Sequence, residues 1–250
     1  MPVFKKFQEF IGNRFFSPKE IDPESAYDLW SQQYDNQPDN LMLALDDEIF
    51  FGLINNISLT DKIILDVGCG TGRHWKKILE REPQEIIGYD VSEGMLKVLR
   101  EKFPKAQTHH LGDEYLRDLR NNYCDIIIST LTVAHIENIE ESVEEWFRVL
   151  RPGGDIIITD YHPDALVKGG KRTFTHNKKV IAVKNYIHSI KKFKEIANKL
   201  QLQVAGFTEK HIDESVRHYY EKADALSIYN RFKGVPIIYG IHLKKSDAIN

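Results

Sequence analysis

The sequence is poor in cysteine and contains no long apolar run. Its 250 residues include two cysteines, Cys69 and Cys124, whose separation fits neither a disulfide framework nor a metal-ligand motif. No apolar stretch approaches the roughly 18 residues that a membrane-spanning helix needs. The amino terminus, MPVFKKFQEF, lacks the uninterrupted apolar stretch of a signal peptide. We therefore expect a cytoplasmic protein without a transmembrane segment or a bound metal.

The chain also lacks the excess of positive charge that a general nucleic-acid-binding protein carries. Its formal net charge is −3, and 42% of its residues are hydrophobic and 28% charged, as in an ordinary globular protein. Residues 161–235 nevertheless contain 15 Lys and Arg against 7 Asp and Glu. This surplus is either a solvated helix face or a region that attracts an anionic substrate. We expect no nucleic-acid partner.

Isoleucine-rich segments alternate with amphipathic segments along the chain. Short apolar runs bounded by turn formers predict strands buried on both faces of a sheet, here at 62–67, 85–90, 106–111, 124–130 and 155–161. Between and after them, ESVEEWFRVL, SEGMLKVLREKF and SIKKFKEIANKL carry helical stripes, and Ser92 can cap the second. The alternation predicts an α/β protein with a Rossmann-like, doubly wound sheet and helices on both faces.

The carboxy-terminal part departs from this alternation. Segments 203–212 and 236–245 both have strand patterns, and we expect them to pair antiparallel. That hairpin completes a seven-stranded, mostly parallel sheet. Residues 1–56, with helical stripes, and residues 162–188, polar and rich in Gly and Lys, fit no sheet position. We therefore expect a single domain with an N-terminal helical cap at 1–56, and cap insertions at 162–188 and 211–235 above the active site.

Three glycines follow the first predicted strand, in ILDVGCGTGR. Gly68, Gly70 and Gly72 occupy alternate positions, where the backbone can pass close to a ligand that a Cβ would exclude. In an open α/β sheet this point lies at the ligand-binding crevice. The dinucleotide fingerprint has the spacing G-x-G-x-x-G, whereas this loop has G-x-G-x-G and a preceding acid, Asp66. A carboxylate there repels a pyrophosphate and attracts an ammonium group. The pattern favours a ligand with an adenosine half and a zwitterionic amino-acid half over NAD.

Further acids follow the next two strands. Asp90 ends the second strand, where a carboxylate can accept both ribose hydroxyls, and Gly112-Asp113 follows the third, where an acid can accept from the adenine amino group. With the glycine loop and Arg151-Pro152-Gly153-Gly154, these residues resemble class I S-adenosylmethionine-dependent methyltransferases. The lead-in Tyr27-Asp28-x-Trp30-Ser31-x-x-Tyr34-Asp35 resembles their ubiquinone and menaquinone branch. The resemblance covers about residues 24–160.

The resemblance implies S-adenosylmethionine as the cofactor and S-adenosylhomocysteine as its product. It implies cofactor contacts at Tyr34, Asp66, Gly68, Gly70, Gly72, Asp90, Asp113 and Thr130. Asp66 would face the amino end of the methionine half, or else only organise the loop and its helix. Tyr34 would close over the methionine half or simply be packed.

Methyl transfer from a sulfonium needs alignment and a dry pocket, and a base only when the acceptor carries a proton. His135, after the fourth strand, and His162, after the fifth, are the candidate bases. Each is otherwise a structural loop residue, and a mechanism without a base stays open. Tyr161, Arg172 and Arg231 are candidate contacts to an acidic, aromatic or acyl acceptor. The chain lacks the Asp/Asn-Pro-Pro-aromatic element of base amino-group methylation and the Pro-Cys of cytosine C5 methylation.

The sequence as a whole predicts an S-adenosylmethionine-dependent methyltransferase that acts on an oxygen, nitrogen or carbon of a small molecule. The alternatives are a catalytically silent S-adenosylmethionine-binding protein, a protein or RNA methyltransferase and, more distantly, an NAD-binding oxidoreductase. A stripe of Phe4, Phe7, Ile11 and Phe15 predicts a helix that packs over the pocket or the core, or else a peripheral membrane contact through residues 3–16. The oligomeric state is left open.

Overall fold

The computed structural model describes residues 18–112 and 116–247. The strands within these ranges are β1 (Lys19–Ile21), β2 (Ile63–Val67), β3 (Glu85–Asp90), β4 (Gln107–His110), β5 (Cys124–Thr130), β6 (Leu150–Tyr161), β7 (Thr173–His176), β8 (Lys179–Val183), β9 (Leu202–His211) and β10 (Pro236–Lys245). The helices are α1 (Pro23–Tyr34), α2 (Leu41–Ile54), α3 (Trp75–Leu79), α4 (Glu93–Lys102), α5 (Ile139–Val149), α6 (Pro163–Val167), α7 (Ile190–Lys199), α8 (Arg217–Lys222) and α9 (Leu226–Phe232). In the described part of the chain, no helix is long and apolar enough to span a bilayer.

Seven strands form the main sheet, in the order β4-β3-β2-β5-β6-β10-β9. The first five are parallel, and β10 runs antiparallel to both β6 and β9. Ile64, Leu65, Ile127 and Ile128 in the central strands are fully buried, which is why β2 and β5 read as continuous apolar runs. The predicted seven-stranded sheet with a C-terminal antiparallel hairpin is confirmed.

The helices between the strands cover both faces of this sheet. Ser92 Oγ accepts a hydrogen bond from Met95 N at 3.1 Å and begins α4, as the sequence predicts. On α5, Val143 and Trp146 are completely buried against the sheet. The chain moves outward from β2 to β4 and then returns to β5 beside β2. This reversal places the ligand crevice at the carboxyl ends of β2 and β5.

A second, three-stranded sheet has the order β1-β8-β7. The expectation that residues 1–56 and 162–188 fit no sheet position is therefore wrong, because the first range contains β1 and the second contains β7 and β8. Asn177 and Lys178, with φ of +48° and +62°, form the tight turn that joins β7 to β8. Phe174 on β7 stacks on Trp30 of α1, with ring centroids 4.8 Å apart. The Thr, Phe, Val and Ile residues around this turn favour strands. The lysines and glycines around them interrupt the apolar pattern, so the sequence does not show a clear strand signal.

The remaining cap regions also have defined places. The excursion between β9 and β10 contains a 3-10 turn, α8 and α9, and it packs against Leu45 and Ile49 of α2 and against Leu131. Its role in choosing an acceptor stays a prediction. The described part of the 1–56 cap contains α1 and α2, as expected, with β1 in addition. The predicted helix at residues 3–16 lies outside the described residues.

Candidate active site

The glycine loop, residues 68–72, connects β2 to the turn before α3. Its three glycines have positive φ, +75° at Gly68, +51° at Gly70 and +68° at Gly72, which disfavours residues with a Cβ. Gly68 N donates to Tyr89 O at 2.7 Å, and this bond fixes the loop on β3. A Cβ on Gly68 would lie 2.2 Å from Thr132 Oγ1, whereas a Cβ on Gly70 would meet no atom within 4 Å. The space beside Gly70 is therefore open to a ligand.

Asp90, at the end of β3, faces this loop. Its Oδ2 accepts a hydrogen bond from Gly70 N at 2.7 Å, and its Oδ1 accepts one from Ser92 N at 2.9 Å. A carboxylate has about four acceptor sites, so each oxygen of Asp90 can accept one more hydrogen bond. Burial raises the pKa of Asp90 to about 6. Two free acceptor sites beside an open glycine loop fit the two ribose hydroxyls of S-adenosylmethionine.

Asp66, in the preceding strand, bonds within the protein. Its Oδ2 accepts a hydrogen bond from Trp75 Nε1 at 2.7 Å, and Trp75 is the first residue of α3. The Asp66 side chain is buried, and burial raises its pKa to about 7. This contact is the one expected of a residue that organises the loop and its helix. A contact between Asp66 and the cofactor stays a prediction.

Two carboxylates hold helix α1 against the glycine loop and the beginning of α4, one just after the carboxyl end of the helix and one in its middle. At the carboxyl end, Asp35 Oδ1 accepts from Thr71 Oγ1 at 2.6 Å. In the middle of the helix, Asp28 Oδ1 accepts from Ser92 Oγ at 2.6 Å and from Gly94 N at 2.8 Å. These bonds explain the Asp positions of the lead-in motif, because each one joins α1 to an element of the cofactor crevice.

The other predicted cofactor contacts lie around the same crevice, with one exception. Tyr34 is half-buried at the end of α1, and its ring meets that of Trp30 edge-on at 5.2 Å. Thr130 ends β5 and is half-buried, and its carbonyl accepts from Thr132 Oγ1 at 3.0 Å. Asp113 lies outside the described residues. The cofactor roles of all three stay predictions.

A second polar group lies at the carboxyl ends of β5 and β6, and we call it the arginine cluster: Tyr27, His135, Asp160, Tyr161 and Arg172. The Arg172 side chain is only 6% exposed. Its Nη1 donates to Tyr27 Oη at 2.5 Å and to the carbonyl of Leu131, and it lies 2.8 Å from His135 Nε2. The guanidinium carbon lies 5.1 Å from the centre of the Tyr161 ring. The structure thus brings together three residues that the sequence predicts at the site, and adds Tyr27 and Asp160.

The hydrogen bonds of His135 define its protonation. Its Nδ1 lies 2.8 Å from the carbonyl oxygen of Lys184, to which it must donate. Its Nε2 therefore carries the lone pair and accepts from Tyr27 Oη, 2.9 Å away, or from Arg172. Burial and the charge of Arg172 lower the pKa of His135 to about 3. The imidazole is neutral near pH 7.

Asp160 fixes the ends of β5 and β6 relative to each other. Its Oδ1 accepts from Tyr161 N at 2.7 Å, and its Oδ2 accepts from Ala134 N at 2.7 Å. The contact from Arg172 Nη2 to Oδ1 is longer, at 3.3 Å. Burial raises the pKa of Asp160 above its ordinary value, although the charge of Arg172 and the two backbone donors act in the opposite direction. The Asp160 carboxylate thus makes shorter hydrogen bonds to the backbone than to the Arg172 guanidinium.

Two predicted site residues lie apart from this cluster. His162 is buried, with Nδ1 accepting from Asp164 N at 3.2 Å to begin α6 and Nε2 lying 3.5 Å from Glu209 Oε2 on β9. Arg231 Nη2 donates to Lys168 O at 3.2 Å on the surface. These contacts direct both side chains to α6 and β9 rather than to the arginine cluster. Their catalytic and substrate roles stay predictions.

Sequence reasoning missed a buried carboxylate beneath the glycine loop. Asp46 on α2 is completely buried, and it accepts hydrogen bonds from Arg73, from Thr159 on β6 and from His74 Nε2 at 3.0 Å. The available signal was an acid in the otherwise apolar run LMLALDDEIFF. Asp46, Asp47 and His74 place ligand atoms within 4.8 Å of one another, as a metal site requires. Arg73 bonds both carboxylates and supplies the positive charge there, so we assign the group a structural role.

Comparisons with known proteins agree with this geometry. A sequence family described as a methyltransferase domain matches residues 65–158. Demethylmenaquinone methyltransferase of Bacteroides fragilis is 30% identical over 168 residues, covering 63% of this chain and 67% of that enzyme. An uncharacterised protein of Haemophilus influenzae is 30% identical over 166 residues, covering 63% of this chain and 64% of that protein. Malonyl-[acyl-carrier protein] O-methyltransferase of Yersinia pestis is 34% identical over 103 residues, covering 40% of this chain and 37% of that enzyme. This chain thus spans less than two thirds of the last two relatives.

The chain belongs to the class I S-adenosylmethionine-dependent methyltransferases. Among solved structures, an S-adenosylmethionine-dependent methyltransferase of Mesorhizobium loti matches with a TM-score of 0.61 and 15% identity, over 80% of this chain and all of that one. The [4+2]-cyclase SpnF matches with a TM-score of 0.65 and 15% identity, over 93% of this chain and all of that one. At such identities the likeness shows a shared fold alone.

Proposed function

We propose that this protein transfers the methyl group of S-adenosylmethionine to a small-molecule acceptor. One observation supports the proposal most directly: the glycine loop with Asp90 and the arginine cluster lie at the same edge of the sheet, where the parallel strands end. The glycine loop and Asp90 follow β2 and β3, and the arginine cluster follows β5 and β6. Thr132 joins the two halves, because its Oγ1 lies 3.3 Å from Gly68 O and it precedes His135 by one turn.

Each half has a distinct task in this proposal. The backbone of the glycine loop and the Asp90 carboxylate would hold the cofactor, which supplies a methyl group already activated by a sulfonium. Tyr27, Tyr161 and Arg172 would position the acceptor and keep water out. The low pKa of His135 and the engaged nitrogens of His162 favour alignment without a general base. Catalysis would then come from proximity and a dry crevice.

A small acceptor is supported by the relatives rather than by the fold. Two of them are named for demethylmenaquinone and for malonyl-[acyl-carrier protein]. The fold is compatible with other chemistry, since SpnF is named as a [4+2]-cyclase. In this proposal the arginine cluster selects the methyl acceptor, and this role needs a direct test.

Titration calorimetry tests the cofactor, and product analysis tests the transfer. We expect S-adenosylmethionine and S-adenosylhomocysteine to bind and NAD not to bind; heat with NAD alone would refute the cofactor half. With labelled S-adenosylmethionine and a whole-cell extract that contains metabolites, protein and RNA, mass spectrometry should find the label on a small molecule. Label on protein or RNA alone would favour the macromolecular alternative. Cofactor binding without any transfer would favour a catalytically silent protein.

A further inference from the structure

Asp90, the carboxylate proposed to hold the ribose, is oriented by Ser92. Ser92 N donates to Asp90 Oδ1 at 2.9 Å, and Ser92 Oγ accepts from Met95 N at 3.1 Å to begin α4. One residue thus binds the carboxylate and starts the helix that follows β3. The direction in which the remaining acceptor sites of Asp90 point therefore depends on where Ser92 lies.

The place of Ser92 depends in turn on α1. Ser92 is completely buried, and its Oγ donates to Asp28 Oδ1 at 2.6 Å. The same oxygen of Asp28 accepts from Gly94 N at 2.8 Å, a backbone donor in the first turn of α4 that has no partner within its own helix. A buried donor that loses its acceptor costs free energy. Asp28 thus supplies, from another helix, an acceptor that both donors use.

The two helices are in close contact at this point. A Cβ on Gly94 would lie 3.0 Å from Asp28 Oδ1 and 3.1 Å from the Asp28 Cα, so a side chain there would push the helices apart. Elsewhere α1 is held by Trp30, which is 8% exposed and stacks on Phe174. Replacing the exposed Asp28 side chain should therefore remove the contact to Ser92 and leave α1 in place.

We infer that Asp28 is a positioning residue for the cofactor-binding carboxylate, because it fixes Ser92 and through Ser92 orients Asp90 toward the ribose. Asp28 contributes no atom to the reaction, and its effect reaches the cofactor only through these two residues. The cofactor half-site is then completed by a side chain of the cap rather than by the main sheet alone. This inference rests on the proposed function, since it requires Asp90 to bind the ribose.

Asp28 acts on the pKa of Asp90 in two opposite ways. Burial is the main cause that raises this pKa to about 6. The hydrogen bond from Ser92 N lowers the pKa, and the negative charge of Asp28 raises it by a smaller amount. The other titratable groups that interact with Asp90 stay unchanged when Asp28 is replaced: His110 on β4, Asp66 on β2 and Cys69 in the glycine loop. Loss of the hydrogen bond and loss of the charge therefore move the pKa in opposite directions.

Calorimetric titration of the full-length protein with S-adenosylhomocysteine, between about pH 5 and pH 8, tests the inference. Asp28→Ala removes the acceptor and releases Ser92, so affinity should fall about threefold to tenfold, the effect of losing one hydrogen bond. The midpoint of the pH dependence, about pH 6 in the wild type, should move to higher pH because Asp90 loses the Ser92 donor. Asp28→Asn keeps an oxygen acceptor without the charge, so its midpoint should move to lower pH.

Glu24→Gln is the matched control. Glu24 is an exposed acid one turn earlier on the same helix, and its replacement should change neither the affinity nor the midpoint. If Asp28→Ala does not fold, Asp28→Glu takes its place, because it keeps the charge and displaces the carboxylate from Ser92. Its midpoint should also move to higher pH.

The remaining outcomes separate the inference from the proposed function. A midpoint that moves to lower pH in Asp28→Ala would show that Asp28 acts by charge alone, and would overturn the positioning role. An unchanged midpoint would also overturn it, with or without a loss of affinity that is equal at every pH. Wild-type protein that binds neither S-adenosylmethionine nor S-adenosylhomocysteine would overturn the proposed function, and the inference with it.

Discussion

Replacing Asp66 with Asn should remove a loss of stability that the protein undergoes as the pH rises from about 5 to about 7. Asp66 is 4% exposed, and burial raises its pKa from 3.8 to about 7. The folded protein therefore holds a proton that the unfolded chain releases between these two pH values. Since the folded state binds more protons, rising pH through this window favours the unfolded state. Asn retains an oxygen that can accept from Trp75 Nε1 but has no proton to lose.

The size of the effect follows from the same shift. Each pH unit within the window changes the free energy of unfolding by about 1.36 kcal/mol per proton. Between about pH 5 and pH 7 the wild type should lose about 2.3 kcal/mol through Asp66, with little further loss at higher pH. Asp66→Asn does not have this loss. The stability of the variant relative to the wild type should therefore rise by about 2–3 kcal/mol from pH 5 to pH 8.

Urea unfolding of both proteins at the two pH values measures this difference. Other titrating groups, including Asp90, are present in both proteins and largely cancel. Glu195→Gln, at a 55% exposed side chain, is a control that should show no such change relative to the wild type. A stability difference between Asp66→Asn and the wild type that is equal at both pH values, within about 0.5 kcal/mol, would refute the reasoning.

Three further predictions concern the crevice and its cap. Asp90→Asn should weaken S-adenosylhomocysteine binding by about 1.5–3 kcal/mol in calorimetry, and wild-type affinity should increase as pH rises through about 6, where the carboxylate ionises; unchanged affinity would remove the ribose assignment. Gly70→Ala should cost about 1–2 kcal/mol of unfolding free energy, and Gly68→Ala more, because its Cβ would lie 2.2 Å from Thr132 Oγ1; the reverse order would contradict the loop geometry. Trp30→Ala, which removes a stacked and 8% exposed ring, should cost about 3–5 kcal/mol, and a loss under about 1 kcal/mol would show that α1 is not held by this contact.

The main sheet could be predicted from the sequence because its signals are local. The strands β2, β3 and β5 lie within a residue of their apolar runs, since strands buried on both faces are apolar at most positions. The second sheet could not be found in this way. Its hairpin buries one face against α1, so β7 and β8 have mixed composition, and β1 supplies only three residues. A pairing across about 160 residues leaves no local pattern.

The two halves of the site also differ in whether a local sequence pattern reveals them. The glycine loop and Asp90 belong to neighbouring strand ends, and the backbone conformation there requires particular residue types, so a short motif reveals them. The arginine cluster joins residues that are 145 positions apart, Tyr27 and Arg172, and its contacts depend on tertiary packing. The sequence indicated His135, Tyr161 and Arg172 individually. It could not show that Arg172 lowers the pKa of His135, because that effect depends on their 2.8 Å separation.

The positively charged residues between 161 and 235 fall into two groups according to their contacts. On α7, Lys192 and Lys199 pair with Glu140, and Lys199 also pairs with Glu144 at 2.7 Å, so these charges meet acids on α5. Surface pairs of this kind contribute little to stability and are screened by salt. They form a solvated helix face and lie on a different element from the crevice. Arg172 differs because it is buried, where screening is weak and an anion gains the most from a fixed guanidinium. The surplus of lysines on α7 is therefore accounted for by surface pairing, and a contact between Arg172 and an anionic acceptor stays a prediction.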